Sequence, residues 1–224
     1  MLCIHTFKQA ILAASACLVL AISAQAAIIV SEVHPTGSSA AGYLGDWFEL
    51  TNTGGSAVDI SGWKVDDGSA TFANALTLND VTSIAAGQSV VFMESPDGST
   101  AGFLNSWFGG SPPSGFTLGT YTGGGIGLSS GGDQVNIFNG AGVLQANVSF
   151  SAATTGVTFD NAAGLTGSIT LLSSVGVNGA FTSNTGSEIG SPGTIVGAAV
   201  PEPGSALLAL GGIGAAIVSA RRRK

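Results

Sequence analysis

DQVNIFNGAGVLQANVSF, residues 133–150, decides the fold. Val135 and Ile137 alternate with Gln134 and Asn136, and Leu144, Ala146, Val148 and Phe150 alternate with Gln145, Asn147 and Ser149. A period of two sends alternate side chains to opposite faces of a strand, so each run offers one apolar face to a core. Asn139-Gly140-Ala141-Gly142 joins the runs, and Asn and Gly tolerate the positive φ that hairpin turns demand. The stretch is predicted to be a β-hairpin with Leu144, Ala146, Val148 and Phe150 facing inward.

The same reading extends outward in both directions. Residues 27–33 are β-branched and apolar, and in Trp47–Asn52 the pair Phe48 and Leu50 shares one face while Trp47 and Glu49 share the other. Val58 and Ile60 keep one phase, Trp63 and Val65 the opposite one, which predicts a bulge or bend at Ser61-Gly62. Residues 89–94 and 167–172 complete the strand set. Asp66-Asp67-Gly68, Pro96-Asp97-Gly98 and Gly131-Gly132-Asp133 read as turns. One short helix is predicted within 99–108, where Phe103, Leu104, Trp107 and Phe108 recur at helical spacing. Many short strands with little helix predict an all-β fold, a β-sandwich.

The ends follow other rules. Met1–Ala26 has the form of a secretory signal peptide: Lys8, an apolar stretch over 10–22, then Ala24-Gln25-Ala26, which places the cut before Ala27. Cys3 and Cys17 are the only cysteines and leave with it, so the body over 27–196 has no disulfide or thiolate chemistry. Residues 197–203 form a linker holding Val200-Pro201-Glu202-Pro203. The uncharged run 204–220 follows, about 25 Å long as a helix, and is predicted to span a membrane. Arg221-Arg222-Arg223-Lys224 is the expected cytoplasmic stop.

Apart from those ends, Lys64 is the single base against thirteen acids between Glu32 and Glu202. Such a body repels phosphate backbones, so nucleic acid is excluded as a partner. No cofactor is required by the residues present. His34 ends the first strand and reads as a surface residue; alone and without cysteine it supplies neither a general base in a triad nor a zinc set. Asp46 and Glu49, three apart on a strand, point to opposite faces and do not form a facing carboxylate pair. Asp66, Asp67, Asp97 and Asp133 lie in turns, where carboxylates and carbonyls can share Ca²⁺, although aspartate before glycine is also ordinary turn chemistry. Trp47 and Trp63 read as core residues; Trp107 is the tryptophan better suited to an exposed contact, although core or loop packing is the favoured reading for it as well.

Several stretches together resemble the lamin tail domain. These are residues 28–32, Asp46-Trp47-Phe48-Glu49-Leu50-Thr51-Asn52-Thr53-Gly54, Ala57-Val58-Asp59-Ile60-Ser61-Gly62-Trp63-Lys64, residues 84–88 and 127–150, and the late Glu188-Ile189-Gly190-Ser191-Pro192-Gly193. That resemblance implies an immunoglobulin-like sandwich, and it leaves the Gly-, Ser- and Pro-rich insertion over 103–121 unexplained. Val200-Pro201-Glu202-Pro203, the apolar run and the basic end resemble the PEP-CTERM sorting signal. This implies membrane retention, processing by exosortase after signal peptidase, and delivery to the cell surface or an extracellular polysaccharide matrix. The expected function is therefore a non-enzymatic, exported binding or structural module. The alternatives are a calcium-dependent carboxylate hydrolase and a permanently anchored single-pass surface protein.

Overall fold

The computed structural model describes residues 28–35, 43, 45–95, 100–122 and 126–194. The signal cleavage residues Ala24, Ala26 and Ala27, the sorting residues Val200–Pro203, the run 204–220, the basic end Arg221–Lys224 and Asp97 lie outside the described residues. Among the described residues no helix is long and apolar enough to cross a membrane.

Fourteen short strands and one helix make up the described chain. The first half holds β1 (Ile28–His34), β2 (Trp47–Asn52), β3 (Val58–Asp59), β4 (Lys64–Asp66), β5 (Leu76–Asn79), β6 (Ser83–Ile84) and β7 (Ser89–Ser95). After α1 (Thr100–Phe108) come β8 (Leu118–Thr122), β9 (Asp133–Phe138), β10 (Leu144–Phe150), β11 (Phe159–Asp160), β12 (Gly167–Ile169), β13 (Phe181–Thr182) and β14 (Ile189–Gly190). Ten of them hydrogen-bond in the order β11-β1-β2-β7-β8-β5-β4-β9-β10-β12; β3 with β6, and β13 with β14, form small ribbons.

That order folds back on itself at β5. Leu76 and Thr77 pair with β4, while Leu78 and Asn79 pair with β8, so one strand serves as the corner between two layers. The layers face each other, with β1 lying over β10. A single apolar core gathers Val30, Val33, Phe48, Leu50 and Phe92 from one layer and Val65, Val135, Ile137, Val148 and Phe150 from the other. The result is a β-sandwich, mostly antiparallel, with β7–β8 and β10–β12 parallel.

The predicted hairpin is present as β9 and β10, closed at Gly142 with φ near 81°. Its inward set needs one correction. The register shifts between Leu144 and Ala146, so Leu144 turns outward and is 46 % exposed, whereas Ala146, Val148 and Phe150 are buried. The phase slip at Ser61-Gly62 is a tight turn closed from Trp63 N to Ile60 O; it carries the chain from β3 to β4 and lets Ile60, Trp63 and Val65 all face the core.

A second apolar layer lies on the outer face of β1, β2 and β7. Tyr43, Trp47, Val91 and Met93 meet Phe103 and Trp107 of α1 there. Phe103, Ser106 and Trp107, spaced three and four apart, form the buried stripe of the helix, with Trp47 edge-on to both aromatic rings at 5.9 and 5.7 Å. The helical start of the 103–121 insertion is thus the cover of this face, and its end, from Leu118, enters the sheet as β8. Of the two readings of Trp107, packing holds and the exposed contact does not: it is 1 % exposed, and its Nε1 donates to Tyr43 Oη at 3.0 Å.

Candidate functional site

Because α1 and the closing segment, residues 188–194, cover the outer face, β2 is buried along its whole length and Glu49 goes inside with it. A bulge between Val30 and Glu32 then places Ser31 and Glu32 together opposite Glu49. A third glutamate, Glu188, enters the same layer just before β14. Glu32, Glu49 and Glu188 are each 1 % exposed, and the only Lys or Arg among the described residues, Lys64, sits 4.9 Å over the Phe72 ring on the second layer. Hydrogen bonds take the place of a counter-charge, as buried carboxylates require.

Glu32 Oε1 accepts from Thr158 Oγ1 at 2.5 Å and from the Ser191 amide at 2.7 Å, and Oε2 accepts from Ser191 Oγ at 3.2 Å. Glu49 Oε1 accepts from Ser31 Oγ at 2.7 Å and Oε2 from the Gly193 amide at 2.5 Å. Glu188 accepts from Tyr43 Oη through Oε1 and from Ser106 Oγ through Oε2 at 2.8 Å. Gly190 lies in the middle of this layer. A Cβ there would stand 2.7 Å from Glu32 Oε1 and 3.0 Å from the Trp107 ring, so only glycine allows the segment to close.

Burial raises both members of the Glu32–Glu49 pair. Burial and then the charge of Glu49 push Glu32 up to about 8, and burial pushes Glu49 up to about 7 against the hydroxyl and amide bonds that favour its charged form. Burial and then the charge of Glu188 hold the Tyr43 phenol above its ordinary range. His34 is not the surface residue expected from the sequence. It is fully buried against Trp47, and its Nε2 lies 3.4 Å from Glu188 Oε1. The strand end is covered by the α1 layer, which period-two reasoning cannot see.

Asp46 and Glu49 do not meet. Asp46 Oδ2 lies on the side of Gly127, while Glu49 faces Ser31 and Gly193. The carboxylate pair that does form, Glu32 with Glu49, is absent from the sequence reading. The signal for it was Trp47: a large aromatic on the same face as Glu49 marks that face as covered.

Three of the four turn aspartates fall near one another. Asp66 Oδ2 accepts from Ser69 Oγ and the Thr71 amide, and Asp67 Oδ1 from the Ser69 amide. Asp133 Oδ1 accepts from the Gly68 and Gln134 amides, and its Oδ2 from the Ser129 amide. These carboxylates close loops by bonding to backbone N–H groups. Among the described residues no group of three or more His, Cys, Asp or Glu is placed to hold a metal ion.

A cavity of about 310 Å³ opens where β7 begins, between the loop before β8 and the closing segment. Gln88, Ser89, Ser114, Phe116, Pro192 and Thr194 are among its walls, and none of its lining residues is ionisable. Its floor connects to the buried acids through hydroxyls. Ser89 Oγ lies 2.7 Å from Thr51 Oγ1, which donates to Ser31 Oγ at 2.8 Å, which donates to Glu49.

Two family models match the chain. The Lamin Tail Domain model matches residues 21–152, and the PEP-CTERM protein-sorting motif matches residues 199–224. No curated protein matches the chain. The strands continue past residue 152: β11 and β12 extend the two layers, and the β13–β14 ribbon with the closing segment also lies beyond the matched range.

Proposed function

Because the chain belongs to the lamin tail domain family and ends in a PEP-CTERM protein-sorting motif, we propose that it is a non-enzymatic surface module, exported to bind or space extracellular material. The sorting motif marks it as an exported protein processed by exosortase and directed to the cell surface or beyond. In the proposed route, signal peptidase cuts before Ala27. Residues 204–220 then hold an inner-membrane intermediate with Arg221–Lys224 in the cytoplasm, and exosortase cleaves near Val200–Pro203.

One observation carries the non-enzymatic part. Glu32, Glu49, Glu188 and His34, the residues with acid–base chemistry in the covered layer, are at most 1 % exposed. The three carboxylates are bonded to their own chain, which suits holding a shape more than meeting a substrate. The same bonds tie Ser191 and Gly193 to β1 and β2 a few residues before the sorting motif. A body carried by its C-terminal end is thereby fastened at that end.

The test has two readouts. The intact mass of the protein recovered outside cells should lack residues 1–26 and the segment after Pro203; a membrane fraction retaining 204–224 would favour the permanent anchor. Purified protein should release no product from polysaccharide, peptide or ester substrates with or without calcium. Turnover abolished by an acid-to-amide change would establish the hydrolase instead.

A further inference from the structure

We propose that the cavity at the start of β7 binds a neutral hexose unit of a polysaccharide. The inference rests on the surface-binding reading above and gives it a site.

Size, lining and charge each narrow the ligand. At about 310 Å³ the cavity lies at the lower end of small-ligand sites, suited to a sugar residue more than to a large cofactor. Its polar groups are neutral and placed in advance. The Gln88 carboxamide accepts from the Ala85 amide at 2.8 Å and donates to Thr117 Oγ1 at 3.1 Å, which fixes its orientation, while Ser89 Oγ is held by Thr51. The hydroxyls of Ser114 and Thr194 stand at the exposed rim. Phe116 and the proline walls supply C–H surface. The Phe116 ring is locked by Phe103 at 6.1 Å and Phe108 at 4.8 Å, and it leaves no room for a Cβ on Gly193, 2.5 Å away. A hexose has this same mixture: hydroxyls that both donate and accept, and C–H patches between them.

Charge separates neutral glycans from anionic ones. A uronate or sulfated polymer would meet no cation in the lining and an acidic body around it, and a cationic ligand would meet no carboxylate in the lining. Peptide is disfavoured by topology. β7 pairs with β2 from Ser89 and with β8 from Val91, so at most Ser89 and Val90 lack a β8 partner, too short an edge for an added strand. Behind the cavity, Ser89 starts the hydroxyl chain that ends on Glu49, and a ligand hydroxyl bonded there would extend an aligned chain.

The test is affinity electrophoresis of the full chain in detergent, in gels containing dextran, galactomannan or alginate, with an extended proline-rich peptide titrated separately. At least one neutral polymer should retard the protein. Ser114→Trp, which fills the opening from an exposed loop, should weaken that retention about tenfold or more, equivalent to about 1.4 kcal/mol, with the melting temperature unchanged. Gln88→Ala should weaken it as much, with a modestly lower melting temperature because the Ala85 and Thr117 bonds are lost. Retention by neither neutral polymer, or binding of alginate or the peptide alone, overturns the proposal. Retention that ignores Ser114→Trp overturns the cavity but leaves the surface-binding reading standing. Reducing ends released from a retained polymer would overturn the non-enzymatic reading and leave the cavity in place.

Discussion

The inner face of β2 carries Phe48 and Leu50 into the sandwich core, whereas its outer face carries Trp47 and Glu49 beneath α1 and the closing segment. Both faces are dry, but they are held by different forces. The inner contacts are non-directional: Phe48 stacks on Phe92 and lies tilted against Tyr121, and any well-shaped apolar residue of similar volume would serve. The outer contacts are directional. Each glutamate oxygen there has named donors, and losing an acceptor would leave a buried donor unpaired. The inner face therefore supplies bulk stability, while the outer face fixes where the closing segment docks and makes that docking sensitive to pH.

The strongest way to test this division is to damage each face in turn. Phe48→Ala removes a fully buried ring from the inner core and should cost about 3–5 kcal/mol in chemical denaturation, by the same amount at pH 5 and pH 8. Glu188→Ala on the outer face leaves Tyr43 Oη and Ser106 Oγ without their acceptor and should cost about 2–4 kcal/mol. Its effect should be local as well: proteolysis should cut first within 183–194. Uniform loss of protection across the sandwich would instead make the outer layer part of one undivided core.

This division also explains what the sequence revealed. The inner core was legible because it depends on period two. The alternations in 47–52 and 133–150 place Phe48, Leu50, Val135, Ile137, Val148 and Phe150 correctly. Leu144 failed because a register shift breaks the period and leaves no mark in composition. The outer layer was largely illegible because its partners are far apart in the chain: Glu32 meets Ser191 across 159 residues, and Glu49 meets Gly193 across 144. Alternation assigns Glu49 to the face away from the core. Only the docking of α1 over Trp47 turns that face into an interior, and with it His34 and Trp107. Helix 99–108 was itself readable, but its docking site was not.

Smaller changes sharpen the contrast within the outer layer. Gly190→Ala forces a Cβ against Glu32 Oε1 and the Trp107 ring, and should cost about 1–3 kcal/mol, with the near-ultraviolet signal of the tryptophans altered. Glu32→Gln keeps an acceptor for Thr158 and Ser191 while removing the charge. The native pair holds protons that the unfolded chain releases near the ordinary carboxylate value of 4.5, because Glu32 is raised to about 8 and Glu49 to about 7. Stability from this pair is complete below pH 4.5 and falls as pH rises to about 8. Asp160, the acid paired across from Glu32, accepts from the Ala162 amide and Asn178 Nδ2. The parent should melt at a lower temperature at pH 8 than at pH 5, and Glu32→Gln should narrow that gap by raising the pH 8 value. An equal gap in both proteins would remove the paired carboxylates as its source.

The smallest effect is expected at the other set of acids, on the layer carrying Lys64. Asp66 is buried, with Oδ2 bonded and Oδ1 without a hydrogen bond. Asp67 and Asp133 beside it resemble the buried glutamates in that backbone N–H groups meet their oxygens, but they lie at a partly exposed loop cluster. Water can solvate those charges, so neither protonation nor a cation is needed to relieve them. Millimolar calcium or a chelator should therefore leave the melting temperature unchanged. Asp133→Asn keeps an oxygen for the Gly68 and Gln134 amides and loses only the bond from the exposed Ser129 amide, which water can replace, so it should cost about 1 kcal/mol or less. A calcium-dependent rise in melting temperature that Asp133→Asn abolishes would mean instead that this loop cluster, like the outer face of β2, concentrates negative charge that its hydrogen bonds alone do not balance.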